Sequence, residues 1–499
     1  MSAALSIQDW KTKAQGLSYR NQAFIDGAYA DAISGKTFDC VSPIDGRVLT
    51  SVAACDQADV DQAVAAARRA FDKGSWSRMA PAKRKRVLQK FADLINQNAT
   101  ELALLETLNM GKPITDSSRI DIPGAANAIA WYGEAVDKVY DQLAPAGDNA
   151  VAMITREPLG VIGAVVPWNF PLLMASWKLG PALASGNSVV LKPAEQSPLT
   201  ALRVAELAAE AGLPEGVLNV VPGFGETAGQ AIGRHMDIDA VAFTGSTEVG
   251  KLFLRYAGES NMKQVSLECG GKTPNIVLAD CPDLDGAAKA AAFAIFFNQG
   301  EMCSAGSRLL VERAIKDQFV EMVIERGKKM QPGDPLDPST RMGAIVDRIQ
   351  TERVMGYIEA GQKSGAKLRL GGERARAETG GYYIAPTVFD NVDPTTIIAQ
   401  EEIFGPVLSV IAFDDTEQAI RIGNGTIYGL AAAVWTRDVT KAHRMARALR
   451  AGTVWINCFD QGDITVPFGG YKQSGFGRDK SLHALDKYTN LKTTWINLG

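Results

Sequence analysis

Three features of the sequence predict an α/β protein built on parallel sheets. From Gly160 onward, strand-like runs alternate with helix-like runs, the pattern of a parallel sheet with helices on its faces. Each strand-like run ends in a short turn rich in Gly, Pro or polar residues. The 499 residues, 46% hydrophobic and 22% charged, suffice for roughly three domains around a large core. In such sheets ligands bind outside the carboxyl ends of the strands, so those turns are the place to look for function.

Several function classes are disfavoured at once. A net charge of −4 provides no broad basic surface for nucleic acid or an anionic membrane. Met1 to Tyr19 is polar and lacks an apolar leader core, and no later apolar run approaches the ~20 residues of a spanning helix, so a cytoplasmic protein is expected. The six cysteines lack C-x-x-C spacing and the three histidines are far apart in sequence, which argues against a disulfide framework and predicts no metal site.

In chain order, Asp26-Gly27 predicts a hairpin turn, and Cys40 to Leu49 places strand-like residues on both sides of another. Asp56 reads as the cap of a helix with Val60, Val64, Ala67 and Phe71 on one face, stopped by Gly74. Pro81 opens a second helix carrying Val87, Phe91, Leu94 and Ile95, whose basic run Lys83 to Arg86 reads as a solvated face. Thr100 is expected to cap a third helix ending at Gly111, and a fourth is expected over Ile122 to Tyr140. The polar break Ala144 to Asn149 suits a small accessory element. Strands are then predicted over Gly160–Val166, Ser188–Lys192, Gly216–Val221 and Ala240–Thr244, with helices over Leu172–Ala184, Leu199–Ala211, Glu226–Arg234 and Thr247–Ala257. Further on, Val265–Glu268 is strand-like, and βα-type segments follow over Phe319–Lys329, Arg348–Ser364 and Val407–Phe413 with a helix from Thr416.

The strand-end turns each admit a chemical and a plain reading. Gly245 to Gly250 puts a Gly-Ser-Thr turn at a helix start, where free amides favour a phosphate, though glycines also simply end strands; it is not a G-x-G-x-x-G fingerprint. Lys192 and Glu195 could hold ribose hydroxyls or form a surface pair. Asn169 could donate to an oxyanion or satisfy a turn. Glu268 precedes two glycines and could serve as a general base if burial raised its pKa, or merely solvate a turn. Cys303 lies among small and polar residues between the alanine-rich run Ala287 to Phe297 and the strand-like Arg308 to Val311. A thiol there can be exposed and act as a nucleophile if helped to ionise, whereas most unpaired cysteines are small buried hydrophobes.

Taken together, seven blocks resemble the aldehyde dehydrogenase superfamily: PWNFP at Pro167 to Pro171, KPAEQSP at Lys192 to Pro198, FTGSTEVG at Phe243 to Gly250, LECGGK at Leu267 to Lys272, FNQGEMCSAGS at Phe297 to Ser307, EEIFGPV at Glu401 to Val407 and PFGGYKQSG at Pro467 to Gly475. They occur in the family's order and spacing over nearly the whole chain. The resemblance implies a Rossmann-type NAD-binding domain (1–141 and 159–270), a related α/β catalytic domain (271–486) and a small β oligomerisation element (142–158 and 487–499), hence a homodimer or homotetramer.

Residue by residue, it implies Cys303 as nucleophile, Asn169 with the Cys303 amide as oxyanion hole, Glu268 as the base that activates water, and Lys178 and Asp479 as aids to proton movement. It implies NAD contacts from Trp168, Lys192, Glu195, Gly225, Gly245, Ser246, Glu402 and Phe404, with Glu195 set against the extra phosphate of NADP. Cys269 departs from the family's usual leucine and reads as a small buried thiol. Phe170, Met174, Trp177 and Phe468 match the family's substrate tunnel, Met302 and Ser304 flank the nucleophile, and Asp121, Asp460 and Asp463 are expected at the tunnel mouth, suiting an aldehyde with a cationic far end. The C-terminal stretch looks most like γ-glutamyl-γ-aminobutyraldehyde dehydrogenases of polyamine breakdown. The expected reaction is oxidation of an aldehyde to its acid through a cysteine thiohemiacetal and thioester. A broad aliphatic range, a coenzyme A-acylating product and a catalytically silent binding protein are the alternatives.

Overall fold

A computed structural model describes residues 5–499. The first sheet has eight strands in the order Ala28–Ala30, Ala23–Ile25, Leu218–Val220, Ser188–Lys192, Val161–Val165, Ala240–Thr244, Gln264–Glu268, Gly475–Phe476. The five from Leu218–Val220 to Gln264–Glu268 run parallel, and the three flanking strands join through antiparallel pairings. Side chains alternate between the two faces, as a period of two requires. Ile162, Ala164, Val189 and Leu191 join one core with the helices Pro81–Gln97, Ile122–Ala135, Pro171–Ser185 and Leu199–Ala211, while Val161, Val165, Val190 and Phe243 join another with Gln57–Lys73 and Thr247–Gly258. Both faces are covered, which is why these strands are apolar throughout; each fully buried Val, Leu or Ile contributes about 1.5–3 kcal/mol.

The parallel register also aligns the strand ends. Val165 pairs with Lys192 and Phe243, and Thr244 with Glu268, so the turns carrying Asn169, Lys192, Gly245 and Glu268 share one edge of the sheet.

A second sheet of seven strands runs Lys367–Leu370, Thr387–Asp390, Val407–Phe413, Arg308–Glu312, Pro274–Val277, Ala431–Trp435, Thr453–Ile456, parallel except for its first pair. Leu284–Phe296 and Lys316–Gly327 cover one face, and Arg348–Lys363 and Thr416–Asn424 the other. Gln142–Ala144, Ala150–Pro158 and Thr489–Asn497 form a third, antiparallel sheet. Its last strand is an edge, and Leu491, Trp495 and Ile496 on it are exposed. Among the described residues no helix is long and apolar enough to cross a membrane.

Local signals explain most element boundaries. Asp26 and Gly27 both have positive φ, the two-residue turn that matches strand twist. The Asp56 carboxylate accepts from the Ala58 amide at 3.0 Å, and Gly74 ends that helix in a left-handed conformation. Three expectations depart from the structure. Thr100 is not a cap, because the helix Ala99–Met110 starts at Asn98, which also closes the preceding helix. The stretch expected to be one helix to Tyr140 instead enters through a wide π-type turn, Ser117–Asp121, and stops at Ala135. The strand expected over Gly216–Val221 is confined to Leu218–Val220.

Candidate active site

The turn that delivers Cys303 is unusual. The helix Leu284–Phe296 stops, and Asn298, Gln299 and Gly300 follow at φ +49°, +58° and +74°. Left-handed backbone costs roughly 1–2 kcal/mol at each residue with a Cβ, and the surroundings hold it in place. Asn298 Nδ2 donates to the carbonyls of Asn169 (3.2 Å) and Glu301 (3.0 Å). Gln299 Oε1 accepts from the Gly343 amide (2.8 Å) and Glu301 Oε1 from the Val346 amide (3.0 Å). At position 300 a Cβ would collide with the Gly405 carbonyl, so glycine is required there. The chain then places Cys303 on the wall of a cavity of ≈ 840 Å³.

Asn169 lies in the turn after Val161–Val165 and shares that wall. Its Nδ2 donates to the Glu301 carbonyl at 2.9 Å, which fixes the amide beside the thiol with one N–H still free. Phe170, Met174, Trp177, Met302, Ser304 and Phe468 line the cavity with Cys303. Trp177 and Phe468 meet edge to face at 5.7 Å, and Phe170 lies 6.3 Å from Phe297. Burial pushes the Cys303 thiol well above its usual value, Glu402, Glu268 and Asp460 reinforce the effect, and the Ser304 amide opposes it. These influences favour the protonated form of the thiol.

Trp168, Gly245, Ser246, Glu402 and Phe404 also border the cavity. Ser246 caps the helix Thr247–Gly258, accepting from the Val249 amide at 3.2 Å. Glu402 Oε1 accepts from the Gly271 amide at 3.0 Å, and a Cβ on Gly270 would strike its carboxylate. Desolvation brings the Glu402 carboxyl up to about 7 against the pull of that amide and of Arg353 and Lys272. Trp168 and Phe404 pack edge to face at 5.1 Å. At the next strand end Lys192 Nζ pairs with Glu195 at 3.1 Å. Gly225 opens a helical turn, with free space where a Cβ would stand. Lys192, Glu195 and Gly225 lie beyond the cavity wall itself.

Glu268 is buried, and neither carboxylate oxygen has a hydrogen-bond partner. Desolvation and Asp479 push its carboxyl well up, opposed by Lys178, Lys487 and Arg478. Behind it, Asp479 bonds both Lys178 and Lys487. Burial works against this carboxylate, yet the two lysines hold its pKa below the usual value. Lys487 was not singled out in the sequence, where one lysine near the end of a polar segment carries no mark of burial. Asn298, Phe293, Phe297 and Lys480 are likewise visible as site residues only in the fold; the Asn-Gln-Gly run was the one available hint of a tight turn.

Two expected mouth residues are elsewhere. Asp121 is fully buried in an ion pair with Lys112 and is absent from the cavity wall, because the π-type turn rotates it inward. Asp463 is exposed and its carboxylate is taken up by the Thr465 amide (2.8 Å) and hydroxyl (2.5 Å). Asp460 does line the cavity. Cys269 is buried, and desolvation, with Glu268 and Glu402, raises its thiol to about 12, consistent with an inert space-filler.

Comparison with known proteins gives concordant matches. The aldehyde dehydrogenase family model matches residues 29–494. The Escherichia coli (strain K12) NADP/NAD-dependent aldehyde dehydrogenase PuuC is 56% identical over 489 residues, 98% of each chain. A crystal structure of an indole-3-acetaldehyde dehydrogenase complexed with NAD+ superposes with a TM-score of 0.99 at 62% identity, covering 99% of this chain and 100% of that one. A γ-glutamyl-γ-aminobutyraldehyde dehydrogenase from Burkholderia cenocepacia gives 0.98 at 62% identity, with the same coverage.

Proposed function

The chain belongs to the aldehyde dehydrogenase family, and from that premise we propose that it oxidises an ω-amino, γ-glutamylamino or guanidino aldehyde to the carboxylic acid with NAD, using Cys303 as nucleophile. The observation that carries this reading is the joint placement of Cys303 and Asn169 on one cavity wall, with the buried Glu268 carboxylate acting on the thiol.

Cys303 Sγ attacks the aldehyde carbon as its proton passes to a neighbouring base, and the oxygen becomes the alkoxide of a thiohemiacetal. The free N–H of Asn169 and the Cys303 amide then serve as its donors, the electrostatic stabilisation that acyl chemistry needs. NAD, when bound, accepts the hydride that leaves this carbon. Glu268 takes a proton from water, which hydrolyses the resulting thioester; a raised carboxyl suits that task near neutral pH. Lys178, Asp479 and Lys487 hold compensating charge behind it. A base dedicated to water favours the free acid over transfer to coenzyme A.

The residues fit a dinucleotide. Thr244 Oγ1 is buried at the cavity edge without a partner, Ser246 heads a helix, and Glu402 stands between Trp168, Phe404 and the glycines 270 and 271. Lys192 and Glu195 would hold the adenosine ribose, Gly225 would border the cofactor, and Glu195 disfavours NADP. For the substrate, the relative named for γ-glutamyl-γ-aminobutyraldehyde supports a nitrogen-bearing aldehyde. A second reading, an arylacetaldehyde, is favoured by the aromatic wall of Phe170, Trp177, Phe293, Phe297, Trp455 and Phe468 and by the relative named for indole-3-acetaldehyde. The exposed apolar edge strand Thr489–Asn497 supports a homodimer or homotetramer, and six unpaired cysteines suit a cytoplasmic setting.

Initial-rate NADH formation with propanal, phenylacetaldehyde, 4-aminobutyraldehyde and 4-guanidinobutyraldehyde tests the reading. Cys303→Ala is expected to lose at least ~10⁴-fold in kcat/KM, about 5.5 kcal/mol. Retained activity in that variant would sink the mechanism.

A further inference from the structure

Besides Arg353, whose guanidinium donates to the Glu402 carbonyl at 3.3 Å, the cavity carries two charged side chains that the chemistry above does not use. Asp460 and Lys480 both line it. Among the described residues neither makes a hydrogen bond through its charged group, and neither has an ion pair within 4.0 Å. Lys480 Nζ lies over the Trp177 ring, 5.6 Å from its centre. Both residues have left-handed backbone, φ +54° at Asp460 and +62° at Lys480, a conformation that non-glycine residues keep only where the surroundings impose it. Those surroundings are interlocked: Trp455 Nε1 donates to the Gln461 carbonyl (2.8 Å), the Ser481 amide to the Ile464 carbonyl (2.7 Å), and Phe468 and Asp479 exchange both backbone bonds at 2.8 Å. Asp463 makes no ion pair with Lys480 within 4.0 Å; its carboxylate accepts from the Thr465 amide and hydroxyl, and it acts on Lys480 only through space.

We propose that Asp460 and Lys480 form a mixed-charge subsite that selects aldehydes whose far end is an α-amino acid group, with Lys480 reading the carboxylate and Asp460 the ammonium. The proposal rests on oxidation at Cys303 in this same cavity. It also changes the charge logic of the mouth. A substrate ending in a lone cation would meet Asp460 favourably and Lys480 unfavourably, and a lone anion the reverse. A head carrying both charges gives each wall group its partner, and by covering the exposed Asp460 and the half-buried Lys480 the bound head itself would withdraw both contacts from water and so strengthen them. The mutual influence of the two residues agrees with this placement: Lys480 pulls the Asp460 carboxyl down against the desolvation of the cavity wall, and Asp460 and Asp463 hold the Lys480 amine up against its own desolvation. Each wall charge is thus only partly compensated by the other.

Four aldehydes test it: the γ-glutamyl amide of 4-aminobutyraldehyde, its analogue lacking the α-carboxylate, its analogue lacking the α-amine, and propanal. Wild type is expected to prefer the first over either single-charge analogue by about tenfold or more in kcat/KM, a transition-state difference of about 1.4 kcal/mol. Lys480→Asn should bring the first two together, and Asp460→Asn the first and third; asparagine tolerates left-handed backbone, so folding is spared in both. Lys480→Arg should keep the preference. Ratios unchanged in both asparagine variants, or no wild-type preference, overturn the subsite while leaving oxidation at Cys303 standing. Loss of turnover with all four aldehydes in wild type would instead overturn the underlying reaction.

Discussion

Two buried lysine–aspartate pairs flank the cavity wall, and they are built to opposite ends. Lys112 and Asp121 are wholly buried, with Lys112 Nζ 3.9 Å from the centre of the Phe170 ring. There the acids outnumber the base: one oxygen each of Asp121 and Glu106 has no partner, and burial together with Asp121 raises Glu106 to about 8 and Asp116 to about 7. At Asp479 the balance reverses. One carboxylate receives two lysines, Lys178 and Lys487, and the surplus positive charge faces the unpartnered Glu268. The first pair supports a wall, through its cation over Phe170 and through Glu106, which accepts the Leu172 amide at 3.2 Å. The second sets the charge around Glu268, the base proposed above. Identical residue types support packing in one place and surround a proposed base in the other, and which charge is in excess marks the difference.

Breaking the first pair should produce the largest effect. Asp121→Ala leaves Lys112 buried without its partner, so a loss of about 3–5 kcal/mol is expected, read as a fall of several degrees in the thermal unfolding midpoint; an unchanged midpoint would show that water reaches the site. At the second pair the signature is kinetic. Lys487→Met removes positive charge near Glu268, which raises that carboxyl further, so the base stays protonated to higher pH. The acidic limb of the kcat profile should move upward by about one unit, the equivalent of about 1.4 kcal/mol. The groups acting on Glu268 are Asp479, Lys178, Lys487 and Arg478; a limb that stays in place would mean Lys487 serves only to hold Asp479. The smallest effect is expected away from both pairs. Asp463→Ala, on an exposed loop, should alter both stability and the substrate preference by less than about 0.5 kcal/mol, and a larger change in preference would return Asp463 to the mouth.

The contrast also shows what a sequence makes legible. Val407–Phe413 is a strand at the expected residues because a run of Val, Leu and Ile bounded by proline and acids leaves no other reading, and the turn at Asp26-Gly27 follows from positive φ alone. The turn carrying Asn169 could be placed on the ligand edge because parallel strands bring their carboxyl ends together, whereas Cys303 and Glu402, which precede the strands Arg308–Glu312 and Val407–Phe413, were brought to it only by the resemblance. Asp121 was misplaced for a physical reason: an acid among apolar residues reads as solvated until the lysine nine positions earlier is seen to face it across the π-type turn. Lys480 and Lys487 carry no such mark in the sequence either, since nothing local distinguishes a cavity-lining or buried lysine from the many exposed ones.

The acidic surroundings of Cys303 have a consequence for the lifetime of the enzyme. Peroxides attack thiolates far faster than thiols. With desolvation, Glu402, Glu268 and Asp460 all favouring its protonated form, and with Cys303 as the nucleophile proposed above, oxidative damage is expected to concentrate in molecules caught during turnover.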